Sequence, residues 1–325
     1  MSNLIEVTVA GGTGYTAGEL LRILINHPNV GKINVLTTSS AGVAVSDVHR
    51  DLFGDTDLCF TEEMGSPDVI FLCLGHGISK SFMDSHQVSD DCKVIDLGND
   101  FRLEGSYAGR DYVYGLVDSY RDEVVAAKNI ANPGCFATAI QTAIAPLAKA
   151  KMLSEDIHVT ALTGSTGAGK SPSETTHFSY RTDNISIYKN FSHQHLGEIS
   201  KSMSTLMGSQ IPQINFVPMR GDFARGIFAS VYTAWSGDVD EAVELFKSYY
   251  ADSAFVHVSD KAISLKEVVN SNKTLLHIEV HQGYIHISSV IDNLIKGASG
   301  QAVECMNLMM GYDQKAGLRL KGTAF

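Results

Sequence analysis

Cys135 combines a reactive side chain with a position that would activate it. It follows the turn-forming pair Pro133-Gly134 and lies in the first turn of an apolar helical stretch. The first N–H groups of a helix lack intrahelical partners and carry the positive end of the helix dipole, so a thiolate there is favoured over a thiol. The alternative is a buried cysteine that acts as a small apolar side chain. The turn and the helix start favour a nucleophile.

A second group of reactive side chains lies at His193, His195 and Glu198. A cysteine enzyme needs a general acid/base, and a carboxylate often orients the histidine that fills this role. Two surface histidines and a metal site are the alternatives, although a metal would want further ligands. With Cys135 in the same chain, the group favours catalysis, and we predict no metal.

The glycine-rich segment 11–14 has the sequence context of a dinucleotide-binding turn. It follows an apolar strand at residues 4–10 and precedes a helix at 17–26, an order in which backbone N–H groups can hold a pyrophosphate. A tight turn without a ligand is the alternative. An NAD-preferring site usually has Asp or Glu at the end of the next strand, but this chain has Thr37-Thr38-Ser39-Ser40. Neutral hydroxyls can bond a 2′-phosphate without repelling it, so we predict NADP.

A second glycine-rich segment, Gly164 to Ser171, matches the phosphate loop of nucleotide triphosphatases. That loop must lead into a long helix, whereas residues 172–179 have no helical apolar period. We therefore reject ATP binding. We predict an active-site loop in which Lys170 contributes positive charge to a substrate pocket.

The elements that must position these residues indicate two domains. In the N-terminal region, apolar strands alternate with helices or loops, which is typical of a doubly wound parallel sheet covered on both faces. From about residue 156, longer alternating strands such as 227–234 and 284–290 indicate an α+β region with a mainly antiparallel sheet. We predict a Rossmann-type NADP-binding domain of residues 1–140 plus 301–325 and a catalytic and dimerisation domain of residues 141–300.

The composition excludes several classes of partner. The net charge of -11 argues against nucleic acid and against an anionic membrane, because both require a basic surface. The N-terminal segment lacks the basic and apolar regions of a signal peptide, and no apolar run is long enough for a membrane span. Five cysteines without close pairs fit a reducing compartment. We expect a cytoplasmic protein that binds a small anionic molecule in a local cationic pocket.

Several segments along the chain carry a resemblance to a known family. They are residues 11–20, 68–77, 94–97, 100–103, 114–116, 132–138, 165–178, 193–199, 217–221 and 289–311. Through them the chain resembles the N-acetyl-γ-glutamyl-phosphate reductases, NADPH-dependent enzymes of arginine biosynthesis that are related to the aspartate-semialdehyde dehydrogenases. The resemblance is most specific around Cys135 and in residues 289–302.

The resemblance implies a glyceraldehyde-3-phosphate-dehydrogenase-like fold, a homodimer or homotetramer, and a role for each candidate residue. Cys135 would form a thioester with an acyl phosphate that is reduced to a semialdehyde. His195 would be the acid/base and Glu198 its partner, which the spacing supports because a helix beginning at His195 places Glu198 one turn later. The implied substrate contacts are Arg102, Asn132, Lys170, His193 and Arg220, and the implied cofactor contacts are Gly11, Thr13, Gly14, Tyr15, Thr16, Ser39, Asn293 and Gln301.

The sequence departs from the family pattern at three places. Gly98-Asn99 stands where Ser-Ala is usual, and Gly75 and Gly197 each replace a proline. These departures leave the N-acyl group of the substrate open. An aspartate-semialdehyde dehydrogenase and an NADP-binding redox sensor, in which Cys135 would be a sensor thiol, are the alternative functions.

Overall fold

The computed structural model describes residues 4–75 and 77–324, which form two compact units. The first unit contains residues up to 133 together with 298–319, and the second contains 134–297 together with the segment from 320 onward. These bounds differ by a few residues from the two predicted domains. The assignment of cofactor binding to 1–140 plus 301–325, and of catalysis to 141–300, stays a prediction.

An eight-stranded sheet forms the framework of the first unit. Its strand order is β3-β2-β1-β4-β5-β8-β7-β6, and all neighbours are parallel except β6 and β7. The elements are β1 Ile5–Ala10, α1 Tyr15–Leu24, β2 Val30–Leu36, α2 Val45–Val48, β3 Phe60–Thr61, β4 Val69–Leu72, α3 Ser79–Ser85, β5 Lys93–Asp96, β6 Ser106–Tyr107, β7 Arg110–Tyr114, α4 Arg121–Ala126 and β8 Asn129–Ala131. The chain turns from β1 towards β2 on one side and later places β4 on the other. The loop after β1 therefore lies where the strand order reverses, the usual ligand position in such sheets.

A seven-stranded mixed sheet forms the framework of the second unit. Its order is β10-β11-β9-β12-β15-β14-β13, with parallel pairing only between β11 and β9 and between β13 and β14. The elements are α5 Cys135–Lys149, β9 Ile157–Thr163, α6 Phe178–Arg181, β10 Ser186–Ile187, α7 His195–Met207, β11 Ile214–Arg220, β12 Ile227–Ala234, α8 Val239–Tyr249, β13 Val256–Ser259, β14 Thr274–His281 and β15 Tyr284–Ile291. The fold class predicted from the sequence is confirmed.

The helix α5 is the core of the second unit and packs against β12, β15, α7 and α8. Every residue from Phe136 to Ala148 is buried, and most of them are small or apolar. Pro146 lies inside this helix, where it cannot donate the hydrogen bond that would normally reach Thr142. The hydroxyl of Tyr250 donates to the Thr142 carbonyl instead, at 2.7 Å. This contact satisfies the acceptor and ties the end of α8 to α5.

The last helix, α9 Gly300–Met309, follows a π-helical turn at Ile295–Ser299 and belongs to the first unit. All of its residues are buried, and it packs against α1 and α4. The apolar positions of residues 300–312, among them Met306, Met309 and Met310, predict an amphipathic helix here. The helix is present, but it is enclosed on all sides, as expected for a helix that crosses a core.

The segment that matches a phosphate-loop pattern does not lead into a long helix. Ser165–Ala168 and Glu174–Thr176 form single 3₁₀ turns, and α6 has only four residues. The local structure therefore agrees with our rejection of the pattern. In the part of the chain that is described, no helix has the length and apolar character needed to cross a bilayer.

Candidate active site

The cofactor loop, which we define as Gly11 to Gly14, needs glycine for two different reasons. Gly11 has a φ of +80°, and a Cβ there would lie 2.6 Å from the Cys73 carbonyl oxygen. A Cβ on Gly12 would lie 2.4 Å from Cγ1 of Val35. Gly11 and Gly12 therefore lie closer to the neighbouring strands than residues with side chains could. The lack of side chains at these two positions also allows a pyrophosphate to approach the loop backbone directly.

The helix after this loop starts without a side-chain cap. Gly14 is the N-cap residue of α1, and the first turn contains no acidic residue. The first-turn N–H groups of α1 thus face no carboxylate from their own turn, which suits an anionic ligand. Tyr15 is 41% exposed, whereas Thr13 and Thr16 are partly buried. These positions fit the predicted contacts with a dinucleotide.

Other predicted cofactor residues have different surroundings. Ser39 is exposed after the end of β2, and its N–H donates to the Thr37 hydroxyl at 3.3 Å. Gln301 is fully buried in α9. Asn293 lies in the second unit, where its Oδ1 accepts from the N–H of Gly226 at 2.6 Å and its amide donates to the Thr166 hydroxyl at 3.1 Å. The roles of Asn293 and Gln301 in cofactor binding stay predictions.

Cys135 is the first residue of α5 and is partly buried. Gly134 is the N-cap residue, without a side-chain cap, and the first turn has no acidic residue. The sulfur therefore stands at the positive end of a fifteen-residue helix dipole. The sequence predicted this position from the Pro133-Gly134 turn, and the structure has the helix begin at the cysteine.

Gly297 packs directly against the cysteine and was not among the predicted site residues. A Cβ on Gly297 would lie 2.8 Å from the Cβ of Cys135, closer than real Cβ atoms approach. The π-helical turn sets this approach, because the N–H of Gly297 donates to the carbonyl of Asp292 at 2.9 Å. The buried Asp292 carboxylate accepts from Arg225 and from the N–H groups of Leu294 and Ile295, which fixes the start of the turn.

Glu198 links the two predicted catalytic segments. Its Oε2 accepts a hydrogen bond from the N–H of Gly134 at 3.1 Å, and its Oε1 lies 3.9 Å from Nε2 of His195. The helix α7 begins at His195, so the two side chains lie one turn apart as the spacing predicted. Both are buried. The carboxylate can therefore orient the imidazole while it holds the residue before the nucleophile.

His193 lies in an aromatic cluster beside this group. Its ring makes edge contacts with Phe136, Tyr188, His195 and Phe216, at centroid distances of 4.6 to 5.9 Å. Burial lowers the pKa of His193 to about 4, with a smaller contribution from the charge of Lys189. Its Nδ1 accepts from the N–H of His195 at 3.2 Å, so the neutral ring carries its proton on Nε2. His193 is thus a neutral donor at pH 7 rather than a cation.

Arg220 supplies a positive charge beside this aromatic cluster, where it lies over the ring of Tyr188. The Arg220 guanidinium carbon lies 4.7 Å from the centroid of the Tyr188 ring, and its Nη1 donates to the Thr175 hydroxyl at 3.3 Å. Burial raises the pKa of Tyr188, and the nearby Cys135 raises it further. Within the described residues the buried Nε of Arg220 has no hydrogen-bond partner. Arg220 therefore has donor capacity left for an anion.

Arg181 was not among the predicted site residues either. It is a buried arginine, only 5% exposed. Its guanidinium donates to the carbonyls of Thr175, Asn184 and Arg220 and to the hydroxyl of Ser186. These bonds connect the loop after β9 with the end of β11. Arg181 therefore positions Thr175 and Arg220. Lys170, which was predicted to add charge to the pocket, is exposed in this loop.

The predicted substrate residues of the first unit serve its internal structure. Arg102 is buried and donates to the carbonyls of Asn132, at 2.8 Å, and Leu97, at 3.2 Å. The Asn132 amide donates to the carbonyl of Ala298 at 3.2 Å, and its buried Oδ1 has no partner among the described residues. That carbonyl oxygen is an acceptor without a donor, which fits a ligand. The substrate roles of Arg102 and Asn132 stay predictions.

Two family models match nearly the whole chain. The model described as "Semialdehyde dehydrogenase, NAD binding domain" matches residues 6–127, and "Semialdehyde dehydrogenase, dimerisation domain" matches residues 135–293. The N-acetyl-gamma-glutamyl-phosphate reductases of Phocaeicola vulgatus and Parabacteroides distasonis are each 50% identical to it over 99% of this chain and 100% of their own length. The chain belongs to the N-acetyl-γ-glutamyl-phosphate reductase family. The family, the oxidoreductase class and the NADP cofactor predicted from the sequence are thereby confirmed.

A solved structure confirms the fold of this reductase family member independently. Aspartate semialdehyde dehydrogenase II from Vibrio cholerae superposes with a TM-score of 0.72 over 95% of this chain and 99% of its own. The two sequences are only 17% identical, so the comparison supports the fold and nothing further.

Proposed function

We propose that the protein reduces an N-acyl-γ-glutamyl phosphate to the N-acyl-glutamate 5-semialdehyde and phosphate, through a thioester on Cys135. The observation that carries this proposal is the position of Cys135 as the first residue of α5, with Glu198 bonded to the residue before it. The relatives that match this chain over their full length are named N-acetyl-gamma-glutamyl-phosphate reductases, which supports this substrate class.

The chemistry starts with attack of the Cys135 thiolate on the acyl-phosphate carbonyl. A carbon–sulfur bond forms, the carbon–oxygen bond to phosphate breaks, and phosphate leaves with the electron pair. The N–H groups at the start of α5 stabilise the negative charge that develops on the carbonyl oxygen. When bound, NADPH would be held by the cofactor loop and α1, and would supply the hydride that, together with a proton from His195, converts the thioester into a thiohemiacetal.

His195 handles the proton in the last step. The thiohemiacetal oxygen loses its proton as the carbon–sulfur bond breaks, which releases the semialdehyde and returns the thiolate. His195 fits this role because Glu198 is close to its Nε2 and its ring packs against Phe136, which follows the nucleophile. Arg220, beside Tyr188, binds an anionic group of the substrate, and His193 donates a neutral N–H to it.

We also propose a homodimer or homotetramer that acts in the cytoplasm. The family model over residues 135–293 is described as a dimerisation domain. On the mixed sheet, Tyr232 and Tyr284 form an edge contact at 6.0 Å while each remains at least 40% exposed, which is consistent with a surface that a second copy covers. The five cysteines are all free, as expected in a reducing compartment. Sedimentation at several protein concentrations tests the assembly.

A substrate panel in the oxidative direction tests the proposed reaction. Purified protein is mixed with NADP, phosphate and one semialdehyde, and NADPH formation is followed by absorbance. The panel contains N-acetyl-glutamate, N-succinyl-glutamate, free glutamate and aspartate semialdehydes. We expect turnover with an N-acyl compound and none with aspartate semialdehyde. The opposite preference would support an aspartate-semialdehyde dehydrogenase, and no turnover with any compound would support a redox sensor.

A further inference from the structure

His49 is hydrogen-bonded to the cofactor loop and has no role in the proposed reaction. It lies between α2 and a 3₁₀ turn at Arg50–Leu52, and it is only 8% exposed. Its Nε2 lies 2.7 Å from the carbonyl oxygen of Gly12. A carbonyl can only accept, so Nε2 must carry the proton and donate.

The same ring also determines what α1 can contain. A Cβ on Gly18 would lie 2.5 Å from Nδ1 of His49 and 2.9 Å from its Cε1. Gly18 donates the first helical hydrogen bond of α1, to the carbonyl of Gly14 at 3.0 Å. The imidazole therefore touches the cofactor loop through Gly12 and the first turns of α1 through Gly18.

Both backbone polar groups of Gly12 are therefore already hydrogen-bonded within the protein. Its N–H donates to the carbonyl of Leu36 at 3.1 Å, and its carbonyl accepts from His49. A carbonyl oxygen turned towards a pyrophosphate would repel it. A donor that holds this oxygen on the far side leaves the N–H groups of the following residues directed at the ligand.

We propose that His49 is a positioning residue for NADP binding, which fixes the peptide after Gly12 in the orientation that accepts the pyrophosphate. In this proposal His49 acts through its hydrogen bond to Gly12 rather than as a ligand of the cofactor. His49 is held in place by its own backbone, since its N–H donates to Val45 at 2.9 Å and its carbonyl accepts from Leu52 at 3.0 Å. Val45 and Leu52 are both buried, so the short segment is anchored at each end.

A pair of amide substitutions separates the hydrogen bond from the packing. In His49→Gln the amide nitrogen replaces Nε2 and can still reach Gly12, whereas in His49→Asn it replaces Nδ1 and falls short. NADPH affinity is measured by fluorescence titration without substrate, alongside kcat and the KM values for both substrates. We expect His49→Asn to weaken NADPH binding about tenfold, the usual value of one hydrogen bond, and His49→Gln to bind within about threefold of the parent.

The matched control is His27→Asn, which removes another buried histidine of the first unit. His27 bonds to Asn307 at 2.9 Å and follows the C-terminal end of α1, opposite the end that adjoins the cofactor loop, so its loss should lower the unfolding temperature without changing NADPH affinity. Unchanged binding in His49→Asn, equal losses in His49→Asn and His49→Gln, or an equal loss in His27→Asn would each overturn the proposal. If His49→Asn does not fold, Gly18→Ala displaces the ring instead and should weaken binding in the same way. Because the titration needs no semialdehyde, it tests the role of His49 even if the proposed substrate is wrong.

Discussion

The starts of α1 and α5 differ from the start of α8 in the same way. Asp238 caps α8, and with Glu241 it forms a complete capping box. The helices α1 and α5 begin after Gly14 and Gly134, with no side-chain cap and no acidic residue in the first turn. A cap stabilises a helix by about 1 kcal/mol, so its absence leaves N–H groups available at a cost in stability. Of these three helices, α8 is capped and has no part in the proposed reaction, whereas the uncapped α1 and α5 carry the proposed chemistry.

The two uncapped starts differ in what supports them. The start of α1 is supported by a hydrogen-bond donor, His49, and in the proposed function accepts an anion that comes from solution. The start of α5 is supported by the Glu198 carboxylate and, in the proposed mechanism, has the Cys135 thiolate as its anion. Glycine is needed beside both, but at α1 it lies in the loop itself, whereas at α5 it is Gly297, from a distant turn. Five substitutions test this contrast.

The largest effect is expected for Cys135→Ser. A hydroxyl lacks the acidity of a thiol, so the same helix start cannot generate the nucleophile, and turnover should fall by about three orders of magnitude or more. NADPH binding, which depends on the start of α1, should remain nearly intact. Cys59→Ser, at an exposed cysteine, is the control and should keep full activity. Retention of more than about a tenth of the activity, ~1.4 kcal/mol in barrier height, would disprove the thioester.

The next effect separates the two histidines that adjoin α5. His195→Asn should lower kcat about 10²–10⁴-fold with a modest change in KM, because it removes the acid/base. His193→Asn should mainly raise the KM of the semialdehyde. Because burial lowers the pKa of His193 to about 4, the ring is uncharged above about pH 5, and its contribution to KM should not change between pH 5.5 and 8. The reverse kinetic pattern would exchange the two roles.

A smaller loss is expected for Gly297→Ala. The added methyl group must displace Cys135, and a shift of about 1 Å at a reacting atom can cost on the order of 10²-fold. The alkylation rate of the thiol by iodoacetamide should change together with kcat, while NADPH affinity stays constant. Parental kcat and alkylation rate in a folded variant would show that the close approach has no catalytic role.

The smallest effect is expected for Ser39→Asp, at the other end of the cofactor. The new carboxylate should repel a 2′-phosphate and bond ribose hydroxyls, which shifts the preference towards NAD by about tenfold. The ratio of kcat/KM for NADPH and NADH measures this shift, and Ser40→Asp offers a neighbouring comparison. Equal or better use of NADH by the unaltered protein would contradict the predicted preference.

The sequence was sufficient wherever a local pattern determines the structure. Apolar strands, the glycine cluster and the Pro-Gly-Cys turn are local signals, and α7 begins at His195 as the spacing to Glu198 predicted. Gly297, His49 and Arg181 were missed because their roles depend on neighbours that are distant in the sequence. The alternation of Ile185 and Ile187 with Ser186 and Tyr188 would have turned the two isoleucines inwards, whereas they are 59% and 56% exposed and Tyr188 is partly buried. No comparable pattern indicates that the ring of His49 lies under Gly12.

The division of the first unit into two stretches of chain has a consequence for its synthesis. The sheet strands of this unit lie before residue 134, but its fully buried helix α9 is made only after residues 134–297. At about 5–20 residues per second, α9 emerges roughly 10–30 s after β8. During that interval the surfaces of α1 and α4 that α9 will cover face water or a chaperone. The second unit has nearly its whole sequence available first, so we expect it to complete its fold before the first unit, which would invert the usual N-terminal-first order on the ribosome.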